Sequence, residues 1–250
     1  MPRILTRIVR RTVPRGLRRR LRDRGFAAWP PRGTLRFGSL RRTRPISSSF
    51  GFDRGKPVDR HYLEGFLRKH SHDIGGRVLE VGDDRYTRMF GGGMVERVDV
   101  LSLDPTGLQG EIIDDLAHPK QLTKATYDCV ICAQTLHLIY DLPTAVATLH
   151  NVLRPGGVAL VTVPGISRIC SDDRESWDDY WRFTRASAMR LFGDVFGREN
   201  VEVLGYGNVL SSLGFLHGIA AEELRREELD VRDDAYDLLV GVRARRDERP

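Results

Sequence analysis

The sequence of 250 residues has few cysteines and no long apolar segment. Its three cysteines, Cys129, Cys132 and Cys170, are too few for a disulfide framework, which favours a reducing cytoplasm. No apolar run approaches the roughly 20 residues that a membrane-spanning helix needs. The N-terminus is basic but lacks the apolar core of a secretory signal, so the sequence predicts a cytoplasmic protein.

Acidic residues are almost absent from the first 44 positions. These hold 15 arginines and a single acid, Asp23, for a net charge of +14, whereas the remaining chain carries 25 basic and 33 acidic residues, for a net charge of −8. Frequent prolines and few large apolar residues predict a basic arm over residues 1–50, disordered or partly helical, and a folded domain over residues 51–250. Such an arm is either a solvated tail or a weak contact for a membrane surface or a nucleic acid.

Segments with strand and helix spacing alternate along the folded domain. The predicted strands are 77–82, 98–104, 110–114, 127–132, 158–163, 201–204 and 238–242. The predicted helices are 59–70, capped by Asp59, then 86–90, 142–153 and 184–196, the last capped by Thr184, with a helical insertion around 210–229. This alternation predicts an α/β protein with a doubly wound, Rossmann-like sheet.

Glycine is scarce in the turn where nucleotide-binding sheets usually have several. The first predicted strand ends at Gly82 and continues into Asp83 and Asp84, so that with Glu80 the turn offers three carboxylates within five residues. A dinucleotide would place its diphosphate on this turn and be repelled. S-adenosylmethionine fits better, because its sulfonium and ammonium groups are positive and it has no phosphates. Its ribose hydroxyls still need an acceptor, which Asp104 supplies at the end of the second strand.

Five segments of the domain form an ordered series. They are V-L-E-V-G at 78–82, D-V-L-S-L-D at 99–104, I-I-D-D-L at 112–116, Y-D-C-V-I-C-A-Q-T-L-H-L-I at 127–139 and L-R-P-G-G-V-A-L-V-T-V-P at 153–164. In this order they resemble class I S-adenosylmethionine-dependent methyltransferases of domain type 11. The resemblance implies a seven-stranded sheet whose last strand is antiparallel. The chain departs from the family at Asp84 and Tyr86, which stand where the family usually has glycines.

The resemblance also implies a cofactor site at the carboxyl ends of the strands. The implied cofactor-binding residues are Glu80, Gly82, Asp83, Asp104, Asp115, Leu116 and Gln134. The first three would frame the methionine end, Asp104 the ribose, and Asp115 with Leu116 the adenine, while Gln134 would line the boundary with the methyl acceptor. The residues alone leave alternatives open: an ion-paired Glu80, a solvated Asp104 and a helix-capping Asp115.

Methyl transfer to a hydroxyl group needs a base, because the hydroxyl is protonated at neutral pH. His137, just after the fourth predicted strand, is the candidate catalytic residue, and packing at the strand–helix junction is the alternative. The candidate acceptor-binding residues are Trp181, Arg182, Tyr206 and Asn208, although Trp181 alternatively anchors the next helix. The W-R-F-T run at 181–184 and the G-N-V run at 207–209 resemble enzymes of glycan or secondary-metabolite pathways.

The sequence predicts no metal site. Cys129 and Cys132 stand three apart on a strand, so they face opposite sides of the sheet and cannot bind one ion together. His70 and His72 have no cysteine near them in the sequence.

Together these features predict an S-adenosylmethionine-dependent O-methyltransferase acting on a small molecule or a glycan. One alternative is a methyltransferase-like binding module without turnover, which Asp84 in the glycine turn favours. The other is an NAD-dependent oxidoreductase, but the acidic turn and the absence of a Tyr-x-x-x-Lys pair argue against it.

Overall fold

The structure is a computed structural model that describes residues 34–105, 107–170 and 178–248. The chain divides into two compact units, Met1–Arg44 and Pro45–Pro250. In the first unit, the described residues contain one short 3-10 helix at Gly38–Leu40. Most of the predicted arm, residues 1–33, lies outside the described residues, and the boundary at residue 50 stays a prediction.

The second unit contains the predicted doubly wound sheet. Its strands are β1 (Gly76–Val81), β2 (Val95–Ser102), β3 (Glu111–Ile113), β4 (Tyr127–Ala133), β5 (Leu153–Pro164), β6 (Val201–Tyr206) and β7 (Leu239–Arg245). Their order is β3-β2-β1-β4-β5-β7-β6, and among them only β7 runs antiparallel to its neighbours. β5 begins earlier than predicted because Leu153 already pairs with Tyr127 of β4. The chain reverses its winding direction between β1 and β4, which creates a crevice at their carboxyl ends.

Six helices accompany the sheet in the described ranges. They are α1 (Val58–Lys69), α2 (Arg85–Phe90), α3 (Leu142–Val152), α4 (Arg185–Phe196), α5 (Val209–His217) and α6 (Arg226–Asp230). Thr184 caps α4 as predicted. Asp59 does not cap α1: the N-cap is Pro57, and Asp59 lies in the first turn because Val58 is already buried and helical. Within the described residues, no helix has the length and apolar character needed to cross a membrane.

Apolar side chains cover both faces of the sheet, as expected for parallel strands between two helical layers. Leu149 of α3 and Phe192 of α4 belong to one core cluster, which contains Cys132. Phe66 of α1 belongs to the other cluster, which contains Cys129. The two cysteines therefore face opposite sides of β4, as predicted, and both are buried.

The segment before α1 is fixed to the C-terminus of α5. The amides of Ile46 and Ser47 both donate to the carbonyl oxygen of His217, at 2.8 and 3.1 Å. The ring of Phe50 stacks on that of Phe215, with 5.9 Å between centroids. Residues 46–50 therefore pack within the second unit and lead directly into α1.

Gly218 makes this attachment possible, and its replacement tests it. Gly218 ends α5 in the left-handed conformation (φ +68°), and an added Cβ would lie 2.6 Å from the carbonyl oxygen of Ser47. We expect Gly218→Ala to lower the melting temperature by about 6–10 °C, because it combines backbone strain with this clash. Gly92→Ala is the control: its φ is +56°, but an added Cβ would meet no atom within 4 Å. The melting temperature of Gly92→Ala should fall by only about 2–4 °C. Equal decreases for the two variants in thermal melts would contradict the clash at Gly218.

Candidate active site

The carboxyl ends of four parallel strands carry most of the predicted site residues. Gly82 follows β1, Asp104 follows β2, Asp115 follows β3 and Gln134 follows β4. Because these strands are parallel and adjacent, all four residues lie at one edge of the sheet. This edge is the crevice at which doubly wound sheets bind ligands.

Glu80 lies near the end of β1 with only 1% of its surface exposed. Its two carboxylate oxygens accept hydrogen bonds from the amides of Tyr86 (2.9 Å) and Thr87 (2.7 Å) in α2. Burial raises the pKa of Glu80 to about 7, although these hydrogen bonds oppose the shift. Glu80 has no ion-pair partner among the described residues, and its hydrogen bonds join the strand to the helix across the turn.

The turn between β1 and α2 leaves open space at Gly82. Gly82 has a φ of +97°, and an added Cβ would meet no atom within 4 Å in the described structure. Asp83 accepts from the amide of Arg85 (3.0 Å), and Asp84 accepts from the guanidinium of Arg88 (2.6 Å). Asp84 has a φ of −106°, which any residue adopts, so this position does not require the usual glycine. The backbone at Gly82 is therefore accessible to a ligand.

Asp104 presents an exposed carboxylate just beyond β2. It has no hydrogen-bond or ion-pair partner among residues 34–105, 107–170 and 178–248. An unpartnered carboxylate can accept hydrogen bonds from both hydroxyls of a ribose. The position therefore suits the predicted role of Asp104.

Asp114 organises the loop after β3, a role that the sequence analysis missed. It is 8% exposed, and its carboxylate accepts from the amides of Lys120, Gln121 and Leu122 at 2.6–3.0 Å. Burial works against ionisation, but these amides outweigh it and lower the pKa of Asp114. The Asp-Asp pair at 114–115 is the one sequence signal for this role. It does not show that the carboxylate of Asp114 binds the amides of residues 120–122, which follow it in the chain.

Asp115 and Leu116, the predicted adenine contacts, differ in exposure. Asp115 is partly exposed, accepts from the amide of Ala117 (2.8 Å) and lies 3.1 Å from Nδ1 of His118. Leu116 is buried in the core cluster of α3 and α4. One carboxylate oxygen of Asp115 thus stabilises a turn through the amide of Ala117. Contact with the adenine stays a prediction for both Asp115 and Leu116.

Gln134 follows β4 in a backbone conformation that is uncommon outside glycine. Its φ is +53°, and its amide donates to the carbonyl of Thr162 in β5 (2.9 Å). Strained positions of this kind occur most often at functional sites. Gln134 also lines a cavity that opens beyond β4.

This cavity, the β4 pocket, has a volume of about 220 Å³. Its lining residues are Phe50, Phe52, Asp59, Arg60, Gln134, His137, Leu138, Pro164, Ser167, Arg168, Cys170, Asp179, Phe215 and Leu238. The aromatic rings give it an apolar surface, whereas the polar side chains come from α1 and from the ends of β4 and β5. A pocket of this composition suits a small ligand with both apolar and polar groups.

His137, the predicted catalytic residue, lines the β4 pocket and is 8% exposed. Its Nδ1 is buried and has no hydrogen-bond partner among the described residues. Burial lowers the pKa of His137 to about 4, so the imidazole is neutral at pH 7. Its backbone carbonyl accepts from the amides of Tyr180 (2.9 Å) and Trp181 (3.2 Å), which fixes its position.

The first turn of α1 forms a wall of the β4 pocket that the sequence did not reveal. Asp59 and Arg60 both line the pocket. The charge of Arg60 acts on His137 and also on Tyr86 of the glycine turn. No local motif marks these two residues, because their place depends on how α1 packs on the sheet.

The four predicted acceptor-binding residues have structural contacts instead. Trp181 donates from Nε1 to a backbone carbonyl (3.0 Å), and Arg182 forms an ion pair with the buried carboxylate of Asp179. Asn208 caps α5 through Oδ1 and donates from Nδ2 to two backbone carbonyls. Tyr206 lines a different cavity. None of these four lines the β4 pocket, and an acceptor contact stays a prediction for each.

His70, His72 and Asp73 lie close enough together to bind one metal ion, although the sequence predicted no metal site. Both oxygens of Asp73, however, accept hydrogen bonds from Arg243 at 2.7 Å. A cation at this position would be repelled by the guanidinium. The absence of a metal therefore stays our prediction.

The central part of the chain is similar to a known protein family. Residues 99–161, about a quarter of the sequence, match a family model of methyltransferase domains, type 11. The matched segment includes Asp104, Asp115, Gln134 and His137 but begins after the glycine turn. No curated protein sequence matches the chain significantly.

The structure is similar to a solved S-adenosylmethionine-dependent methyltransferase from Archaeoglobus fulgidus. The two have a TM-score of 0.50 and 12% sequence identity, over 75% of this chain and 94% of that one. This chain has the fold of a class I methyltransferase. The [4+2]-cyclase SpnF is also similar, with a TM-score of 0.51 and 14% identity over 78% of this chain and 84% of its own. Because that enzyme is named for a different reaction, this fold alone does not define the activity, which must be argued from the site.

Proposed function

We propose that this methyltransferase-fold protein transfers a methyl group from S-adenosylmethionine to a hydroxyl group of a small molecule or a glycan. The observation that carries the proposal is the arrangement of two features at one sheet edge. An open, acidic turn at Gly82 lies at the same sheet edge as a pocket lined by His137, whose buried Nδ1 has no partner among the described residues. The family match over residues 99–161 supports S-adenosylmethionine as the cofactor.

The residues around the turn fit a cationic cofactor without phosphates. Glu80, Asp83 and Asp84 surround the turn with acids, and Gly82 leaves its backbone open to close approach. S-adenosylmethionine, when bound, supplies a methyl group on a positively charged sulfur. The protein holds the cofactor in place, with Asp104 accepting hydrogen bonds from the ribose hydroxyls.

The β4 pocket fits an acceptor that has a hydroxyl group and an apolar face. Phe50, Phe52 and Phe215 supply apolar surface, against which a sugar or an aromatic ring can pack. His137 is neutral at pH 7 because burial lowers its pKa to about 4, and its imidazole would accept the hydrogen bond and then the proton of the acceptor hydroxyl. Arg168, whose buried Nε lacks a partner among the described residues, can donate to a second acceptor oxygen.

The two alternatives have less support. A binding module without turnover was favoured by Asp84, but this residue pairs with Arg88 and has an ordinary φ, so it does not obstruct the turn. For an NAD-dependent oxidoreductase, the cofactor diphosphate would lie against a turn whose half-exposed Asp83 carboxylate repels it.

Two further parts of the proposal concern the setting of the enzyme. The scarcity of cysteine supports a cytoplasmic location. The net charge of +14 over residues 1–44 supports weak contact between the basic arm and a membrane surface or a nucleic acid.

Calorimetric titration with S-adenosylmethionine, S-adenosylhomocysteine and NAD tests the proposed cofactor. We expect the first two to bind and NAD not to bind. Asp104→Ala should weaken binding of both sulfur compounds by about tenfold, since it removes charge-assisted hydrogen bonds to the ribose. The control is Asp194→Ala, which removes an equally exposed acid from α4 and should leave affinity unchanged. No binding of either sulfur compound to the unmodified protein would overturn the proposal.

A further inference from the structure

A second cavity lies between α1, the end of β6 and the segment around α6. Its volume is about 180 Å³, and it shares no lining residue with the β4 pocket. The polar or small residues that line it are His61, Gly65, Lys69, Tyr206, Asp230 and Arg232. Pockets for drug-sized ligands begin at about 300 Å³, so this one suits a small polar group. We call it the Gly65 cavity.

The basic side chains of the Gly65 cavity outnumber its single acid. Arg232 forms no ion pair with any carboxylate in the described ranges, and its guanidinium lies 4.5 Å from the ring centroid of Tyr206. Lys69 is paired with Glu202 at 2.8 Å but remains half exposed. Asp230 lies 3.7 Å from Arg226, which partly neutralises it. The charge not compensated within the protein is therefore positive.

His61 adds a ring nitrogen to the cavity, and the neighbouring charged residues affect its protonation. Burial, and then the nearby charge of Lys56, lowers the pKa of His61, while Asp230 and Glu64 oppose the shift. The imidazole is therefore neutral at pH 7 and can donate one hydrogen bond.

Gly65 has no structural reason to be glycine. It lies in the middle of α1, where glycine is the poorest helix former after proline. An added Cβ would meet no atom within 4 Å among the described residues, so packing would tolerate alanine. The missing side chain does, however, enlarge the cavity next to the basic side chains.

From this combination we propose that the Gly65 cavity binds a small oxyanion, of the size and charge of phosphate. Arg232 binds two oxygens of the anion through its planar guanidinium, and Lys69 adds a second positive charge. The hydrogen on a neutral His61 nitrogen and the space left by the missing side chain of Gly65 complete the site. The proposal does not depend on methyl transfer.

Nuclear magnetic resonance titration tests the site, with the Gly65 amide and the His61 imidazole as reporters. Inorganic phosphate should produce saturable shifts at constant ionic strength. Arg232→Ala and Gly65→Ala should each weaken the apparent affinity by about tenfold or more, because one removes the main cation and the other fills the space. Gly65→Ala should at the same time raise the melting temperature by about 2–4 °C, through its gain in helix propensity.

Two matched variants control for general effects. Arg190→Ala removes a similarly exposed arginine from α4, and Gly214→Ala makes the same helix change in α5, where an added Cβ meets its first neighbour at 3.5 Å. Both should bind phosphate like the unmodified protein.

Glucose 1-phosphate and acetate distinguish the sources of the anion. Tighter binding of the ester than of inorganic phosphate assigns the site to a phosphorylated metabolite. Equal binding of the two assigns it to the free phosphate ion, and tighter binding of acetate assigns it to a carboxylate. The absence of saturable shifts with all three, or equal binding by Arg232→Ala, would overturn the proposal.

Discussion

Replacing Glu80 by glutamine should remove about 3 kcal/mol of pH dependence from the free energy of unfolding. Burial raises the pKa of Glu80 in the folded protein to about 7, from its ordinary value of 4.5. A group whose pKa rises on folding stabilises the fold below its unfolded pKa and loses that contribution as the pH rises through the folded one. The unmodified protein should therefore lose this stability between about pH 4.5 and 7.

The same substitution has a second effect that does not depend on pH. Glu80 accepts from two buried amides, those of Tyr86 and Thr87, but glutamine has a single side-chain oxygen. One backbone N–H is left unsatisfied, which costs about 1–3 kcal/mol. The glycine turn should loosen, and affinity for S-adenosylmethionine should fall with it.

Urea unfolding at several pH values between 4.5 and 8 measures both effects. The control is Asp194→Asn, which removes an exposed acid of α4 that does not belong to the glycine turn. It should keep the pH profile of the unmodified protein. If Glu80→Gln also kept that profile, Glu80 would have to titrate as a solvated acid, contrary to its burial.

Replacing His137 by alanine should lower the rate of methyl transfer by about 100-fold or more, the usual range for the loss of a general base. Affinity for S-adenosylmethionine should change little, because His137 lines the β4 pocket and not the turn at Gly82. The measurement is turnover with an acceptor found by screening phenols and sugars, together with calorimetric titration of the cofactor.

The buried position of His137 calls for two companion variants. His137→Asn keeps a polar side chain and should fold well while remaining slow, whereas exposed His72→Ala should have normal turnover. An active and stable His137→Asn would assign His137 to packing.

His137 also makes a prediction about acid sensitivity. Its pKa falls on folding, from 6.5 to about 4, so the neutral form stabilises the protein above pH 6.5. This contribution disappears as the pH falls towards 4, and His137→Asn should lose less stability over that interval than the unmodified protein.

The sequence predicted the sheet and the turn after its first strand because both depend on local patterns. Strand β4 and the turn at Gly82 are visible as an apolar run and a glycine followed by acids. Thr184 was predicted correctly as a cap because capping is decided by residues a few positions apart.

The walls of the β4 pocket could not be predicted in the same way. Asp59 and Arg60 reach the pocket because α1 packs on one face of the sheet and its first turn lies beside the pocket. The segment before α1 is itself held by contacts such as Arg54 with Glu223, which are 169 residues apart. The sequence also did not reveal that Arg182 binds Asp179 and that Asn208 binds backbone carbonyls, and an acceptor contact stays a prediction for both. Polar residues near a site look alike in sequence whether they bind a ligand or the protein.

The φ angle of Asp84 has a consequence for recognising proteins of this kind from sequence. Only Gly82 needs glycine in this turn, because Asp84 has an ordinary φ and Tyr86 is already helical. A search pattern built on three glycines would pass over any homologue that shares this turn. The family match to this chain begins at residue 99, after the turn. The acids at 80, 83 and 84 and the lone glycine at 82 would make a better search pattern.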